Sequence, residues 1–310
     1  MSARIVVVGD TLLDVDLNGT AQRLSPDGPV PVVDVSGRLE RAGGAGLVAT
    51  FLALEGTEVT LATALARDAG AGRVRAALTG VILAEAALPG PTPTKTRIRA
   101  SGQPVARIDE GCGPPEPVGG TGRIVEAIRA ADVVIAADYG RGLLADGAVR
   151  AALEECALSV AVVWDPHPRG VEPVPGCRVV TPNRSEAAAR TDRPIDDLEA
   201  ALDVAERLRR HWDAESVAVT LDSDGAAVAL RDRPRRVIPA DAVDVADACG
   251  AGDRLVASVG LELVRGADVA DALARGVAHA TAYLAAGGVA SLPTSPPERP
   301  SRTRPLAAVG

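Results

Sequence analysis

The sequence predicts an α/β fold, a doubly wound and mainly parallel sheet with a small β-lid beside it. Three observations carry this. Short aliphatic runs recur along the 310 residues, with Ala/Leu/Arg-rich segments of helical length between them, the alternation that βαβ units produce. The runs are apolar at consecutive positions, as in strands covered by helices on both faces. Two further segments break the rhythm by alternating and by carrying Pro and charge, which suits strands open to solvent.

Taken in order, residues 5–8, 59–62, 133–136, 160–164, 179–180 and 217–220 are the core strands. Residues 45–54, 72–78, 120–130, 146–156 and 198–211 are the helices between them, and 255–263 is a late apolar helix. The lid is expected from two stretches, about 11–40 and 92–110, with 29–35, 94–100 and 104–109 as edge strands. One domain should therefore cover 1–290, followed by a Pro-rich flexible tail over 291–310.

Composition narrows the function. Acidic residues outnumber basic ones 41 to 33, for a net charge of −8, which argues against binding nucleic acid through counterion release. Only Phe51, Tyr139, Trp164, Trp212 and Tyr283 are aromatic, too few for a base-stacking platform. No apolar run reaches the roughly 18 residues that span a bilayer, and no apolar leader core follows Met1. Cys112, Cys156, Cys177 and Cys249 are scattered without a C-x-x-C pair, so neither a disulfide framework nor a metal clamp is expected. The setting these features suggest is the cytoplasm, without a membrane partner.

The most informative stretch is Asp247-Ala-Cys-Gly250-Ala251-Gly252-Asp253, which leads into the apolar helical run. Small residues at a helix start let backbone N–H groups approach an anion, and the helix dipole favours negative charge there. Asp253 falls in the first turn beside that site, where a carboxylate can take the proton of an attacking hydroxyl. The competing reading is an acid that only complements the dipole. A Walker A loop is absent, since Lys95 is the only lysine and no glycine precedes it. Gly44-Ala-Gly46-Leu-Val-Ala49 matches a relaxed dinucleotide fingerprint, but the preceding Arg38-Leu-Glu-Arg41 cannot be a buried strand, and the fingerprint needs strand, turn and helix in that order.

Several motifs together resemble the ribokinase-like (PfkB) carbohydrate kinases. The late signature is D-x-x-G-A-G-D. Gly9-Asp10 with Asp14 resembles the opening sugar motif, Gly43-Gly44 the second glycine signature, and Thr181-Pro-Asn183-Arg-Ser-Glu186 the T-P-N-x-x-E motif. Thr220 to Gly225 holds the place of the nucleotide loop. Within the family, Arg23-Leu-Ser-Pro-Asp-Gly-Pro-Val-Pro-Val-Val33, Thr94-Lys-Thr-Arg97 with Arg107-Ile-Asp109, Ala137-Asp138-Tyr139-Gly-Arg141-Gly142 and Trp164-Asp165-Pro166 resemble heptose 7-phosphate kinases. Four positions depart from the pattern. Leu47 stands for a sugar-contacting asparagine and His167 for a lysine; Arg254 and Cys249 replace small hydroxyl residues. No H-x-G-H of a following nucleotidyltransferase is present, and the chain ends too early for one.

The resemblance implies an ATP- and Mg²⁺-dependent kinase acting on the anomeric hydroxyl of a heptose 7-phosphate, with a monovalent cation as a further candidate. The alternatives are a kinase for another sugar, sugar phosphate or nucleoside, and a non-catalytic binder that kept the fold. It also implies the roles. Asp253 is the general base, with the N–H groups of Gly250, Ala251 and Gly252 around the transferring group. Asp10, Asp14, Gly43, Gly44 and Asp138 line the sugar site, or else Asp14 caps its loop and Asp138, like Asp165, caps the turn that follows its strand. Lys95, Arg97 and Arg107 form a cationic patch for a substrate phosphate, or else solubilise an exposed strand. Asn183, Thr220, Asp222, Gly225, Gly250 and Gly252 hold the nucleotide. Glu186 serves the metal, through water, or else only complements its helix dipole. The partners are a small sugar or sugar phosphate and a second copy of the chain, paired through the lid.

Overall fold

Aliphatic residues at consecutive positions need cover on both faces, and the chain supplies it by placing successive side chains on opposite sides of one sheet. In the computed structural model, which describes residues 3–243 and 247–293, the elements are β1 (Ile5–Gly9), β2 (Thr11–Leu24), β3 (Pro31–Gly44), α1 (Ala45–Leu54), β4 (Val59–Leu65), α2 (Ala69–Ala77) and β5 (Ile82–Ala87). There follow β6 (Thr94–Ala100), β7 (Gln103–Glu110), α3 (Gly122–Arg129), β8 (Val133–Ala137), α4 (Gly147–Ala157), β9 (Ala161–Asp165) and β10 (Val179–Val180). The remainder are α5 (Arg184–Thr191), α6 (Leu198–His211), β11 (Ser216–Thr220), β12 (Ala226–Leu230), β13 (Arg233–Ile238), α7 (Ala251–Val264) and α8 (Val269–Ala285). The tail expected from 291 lies outside the described residues from 294 onward.

The main sheet has nine strands in the order β13-β12-β11-β10-β9-β8-β1-β4-β5, parallel except where β12 pairs with β11 and β13. Ile5 and Val7 point into one core with α1, α7 and α8. Val6 and Val8 point into the other, with α3, α4 and α6. This is the doubly wound architecture. Strand order reverses at β1, which pairs with both β4 and β8, and the carboxyl ends of strands at such a switch point are where α/β sheets bind ligands.

The second sheet is the lid, in the order β3-β2-β6-β7. One residue, Asp10, separates β2 from β1, and β3 runs straight into α1, so both lid strands are anchored at the switch point. β3 is an edge strand as expected. β6 is not; both of its backbone edges are paired, to β2 and to β7, and its charge is tolerated there because Arg97 and Arg99 meet Asp14 and Asp247. Three strands were not expected at all. β12 is Ala-rich, β13 begins Arg233-Pro-Arg-Arg236 with exposed side chains, and β5 is a short edge strand. None carries the aliphatic signal of a covered strand. Among the described residues, no helix is long and apolar enough to cross a membrane.

The β11–β12 hairpin depends on one glycine. Gly225 has φ +90°, and a Cβ there would lie 2.0 Å from the Ile238 carbonyl oxygen. Gly225→Ala is expected to cost at least ~2 kcal/mol from the left-handed backbone and the clash, read as a drop of several degrees in the melting temperature.

Candidate active site

Helix α7 begins after Gly250, which turns the chain with φ +84°. The first turn of any helix leaves N–H groups without intrahelical acceptors. Among the described residues, the amides of Gly250, Gly252 and Asp253 meet no protein acceptor, whereas the Ala251 amide donates to the Ala248 carbonyl at 3.2 Å. This corrects the expected trio: Ala251 closes the turn, and the third open donor is the amide of Asp253 itself. A Cβ at Gly252 would meet nothing within 4 Å, but at Gly250 it would lie 2.7 Å from Tyr283 Oη. That hydroxyl donates to the Cys249 carbonyl at 3.0 Å and so braces the turn from α8.

The Asp253 side chain is buried, and Tyr139 Oη donates to its Oδ1 at 2.6 Å. Burial pushes the Asp253 carboxyl up to about 6, with the bond from Tyr139 pulling the other way. Tyr139 is held in turn. The Asp10 carboxylate accepts from the N–H groups of Tyr139, Arg141 and Leu143 at 3.2, 2.8 and 3.2 Å. The Asp138 carboxylate accepts from those of Gly140 and Val171 at 2.8 and 2.9 Å, and burial pushes it up to about 7. Asp10, expected against the sugar, and Asp138, expected there or as a cap of the following turn, therefore brace the loop after β8. Both stand where a parallel strand ends and the following amides lose their ladder partners. Gly44, with φ +62°, leaves room for this loop, since a Cβ there would lie 3.2 Å from the Tyr139 ring.

The lid delivers charge to the same place. Register sets Asp14 opposite both Arg41 and Lys95, and Asp16 opposite Arg97. Arg97 donates to Asp14 at 2.6 Å, Arg41 lies 3.9 Å from the other Asp14 oxygen and is paired with Asp16, and Arg99 binds Asp247 at 2.6 Å. Gly43 admits this arrangement, because a Cβ there would lie 2.4 Å from Asp14 Oδ2. Lys95 Nζ sits 5.6 Å from the Tyr139 ring centroid. Of the three expected cations, then, Lys95 reaches the Asp253 neighbourhood and Arg97 arrives already paired. Arg107 stays exposed on β7, bound to Asp109 at 2.6 Å, and does not join them. Arg41, Asp16 and Arg99 were missed, although their alternation with Asp14 and Arg97 was a usable signal.

On the far side, Asn183 and Glu186 form a capping box at the start of α5: Asn183 Oδ1 accepts from the Glu186 N–H at 2.9 Å, and Glu186 Oε2 from the Asn183 N–H at 2.8 Å. Asn183 bridges Thr220 at the end of β11. Asp222 is exposed in the following turn, and Gly225 serves the hairpin geometry. Asp165 ends β9 partly buried; desolvation holds its carboxyl well above the usual range, and the negative charges of Asp253 and Glu186 push it further. Among the described residues no group of three or more His, Cys, Asp or Glu can hold a metal ion. Mg²⁺ keeps several waters and takes its ligands largely from phosphates, so it calls for few protein carboxylates; one Glu186 oxygen is already taken by the Asn183 N–H. Leu47, at the family's asparagine position, is 2% exposed, within the core beside Gly250.

Residues 152–295 match the pfkB family of carbohydrate kinases. The chain is 43% identical over 299 residues to the bifunctional protein HldE of Streptomyces coelicolor, covering 95% of this chain and 63% of that protein. It is 34% identical over 293 residues to the bifunctional protein HldE of Azorhizobium caulinodans, covering 91% and 60% respectively. The chain thus spans less than two thirds of the length of these relatives. Among solved structures, ribokinase of Arabidopsis thaliana, complexed with ribose and ATP, superposes with a TM-score of 0.75 at 20% identity, over 94% of this chain and 96% of that one. Phosphofructokinase-2 of Escherichia coli gives 0.67 at 15% identity, over 92% and 93%. At such identities the likeness to both structures is one of fold.

Proposed function

Because the chain carries a pfkB-family carbohydrate kinase domain, we propose that it transfers the terminal phosphoryl group of ATP to the anomeric hydroxyl of a heptose 7-phosphate, giving the 1,7-bisphosphate. The observation that carries this reading is the first turn of α7, where a buried carboxylate adjoins backbone N–H groups that meet no acceptor among the described residues.

Asp253 accepts the proton of the acceptor hydroxyl. The oxygen forms its bond to the γ-phosphorus as the bond to the ADP oxygen breaks. The amides of Gly250, Gly252 and Asp253 donate to the charge on the transferring group, an electrostatic contribution fixed in place before the reaction begins. Mg²⁺, when bound with the phosphates, neutralises charge there, and Glu186 is the residue that would hold it through water. Asn183, Thr220 and Asp222 flank the expected nucleotide side.

Two features bear on the acceptor. Lys95 is the only lysine of the chain, and it lies beside Tyr139 while Arg97, Arg99 and Arg107 are each bound to a carboxylate; a substrate phosphate fits that cation. Leu47, by contrast, cannot hydrogen-bond a sugar hydroxyl and is enclosed, which favours as a second reading a kinase for a different sugar. ADP release measured across free and phosphorylated sugars separates the two. The heptose reading expects preference for the 7-phosphate and a rise in its KM of about tenfold or more in Lys95→Ala, the loss of one charge-assisted contact. Equal use of unphosphorylated sugars by the wild-type protein would remove it. The homodimer belongs to the same reading: β3 is an edge strand whose Val35 and Leu39 are exposed, a surface a second copy would cover.

A further inference from the structure

A general base needs one free oxygen, and in Asp253 the other is already taken. Tyr139 Oη donates to Oδ1 at 2.6 Å; among the described residues, Oδ2 has no hydrogen-bond partner. We infer that Tyr139 is a positioning residue, whose phenol pins Oδ1 of Asp253 so that Oδ2 is the oxygen presented to the acceptor hydroxyl. The inference rests on the assignment of Asp253 as base in the proposed function.

The phenol can act this way because everything around it is fixed. Its own amide is held by the Asp10 carboxylate at 3.2 Å. Its ring lies against Gly44, at the distance where a Cβ would crowd it. The His167 imidazole stacks on it with centroids 6.1 Å apart and planes 29° apart, and Lys95 approaches its ring from the lid. The terminal torsion of an aspartate is soft and roughly two-fold, so a carboxylate without such a contact could present either oxygen. One short bond from a rigid donor removes that freedom.

The same bond favours the ionised carboxylate. The groups facing Asp253 are Asp14 from β2, Arg41 from β3, Lys95 from β6, Tyr139 after β8, Asp165 at the end of β9 and Tyr283 on α8. Asp14 and Asp165 oppose its charge, while Arg41 and Lys95 favour it. Burial and Arg169 push the neighbouring His167 down to about 4, so that ring is neutral at physiological pH and adds no competing cation. Only Tyr139 acts on the Asp253 carboxylate through a hydrogen bond among the described residues.

Tyr139→Phe keeps the ring and removes the donor. The acid limb of kcat/KM is expected to move up by about one to two pH units, the size of a charge-assisted hydrogen bond. The loss is expected to be at least tenfold on that limb and to shrink toward high pH. A packing role would leave the limb where it is. The ¹³C carboxyl titration of Asp253, identified by its absence in Asp253→Asn, should move the same way without any turnover being required. If Tyr139→Phe does not fold, replacement of both tyrosines by 3-fluorotyrosine makes the phenol a stronger donor, and the Asp253 midpoint should move down. An unmoved midpoint in whichever protein is measured overturns the inference. Absence of sugar-dependent ADP release from the wild-type protein would instead remove the kinase reading, and the carboxyl titration would still decide the role of Tyr139.

Discussion

Asp253→Asn is expected to lower kcat by a factor of about 10²–10⁴, the usual contribution of a general base, while leaving the protein folded and more stable at pH 8. The two halves have one cause. Burial raises the carboxyl from 3.8 to about 6, so its stabilising contribution is fully present below pH 3.8 and is lost as the pH rises through about 6. Above that range the native state carries a buried charge that costs roughly 3 kcal/mol. Asparagine removes the charge and can still accept from Tyr139 Oη. Thermal melts of both proteins should therefore coincide below about pH 4, separate as the pH rises to about 6, with the variant higher, and stay a constant distance apart above it. Undiminished ADP release by the variant would remove Asp253 as the base. A variant melting lower at pH 8 would mean that the carboxylate is better solvated or better paired than its enclosure implies.

Gly250→Ala should be nearly as damaging to turnover through a different route. The left-handed φ of +84° costs an L-residue about 1–2 kcal/mol, and the new methyl would lie 2.7 Å from Tyr283 Oη and 3.1 Å from Leu47 Cδ2. Relief comes most readily by rotating the turn, which swings the open amides off the phosphoryl position. Losing one such donor lowers kcat by about 10²–10³. Tyr283→Phe in the same chain removes the atom in the way and should recover part of the loss. A Gly250→Ala protein with wild-type kcat would show that these amides do not meet the transferring group.

Much of this was legible in the chain alone. The strands β1, β4 and β8 to β11 announce themselves because a strand covered on both faces must be aliphatic at every position. Helices α1 and α6 run over the expected residues. Of the strands that escaped notice, β5 and β13 are the two edges of the sheet, where solvent takes the place of one cover and charge is tolerated; β12 is covered on both faces, but its alanines read equally as helix. The Gly-Ala-Gly-Asp turn was legible for a similar reason: a helix start that leaves donors open needs small residues, and that need is local.

Which carboxylate does what was not local. Asp10, Asp14 and Asp138 look alike as acids after or beside strand ends, yet Asp10 and Asp138 have their oxygens filled by amides of the loop that follows β8. Asp14 meets arginines from two different strands. Tyr139 finds Asp253 across 114 residues of chain. Spacing along a sequence decides which backbone stretches become strands and helices, since those bonds close within or between regular elements. Whether a given oxygen is left open for a substrate depends on every donor that the completed fold brings within 3 Å or so, and that inventory exists only once the loops, the lid and both layers of helices are in place.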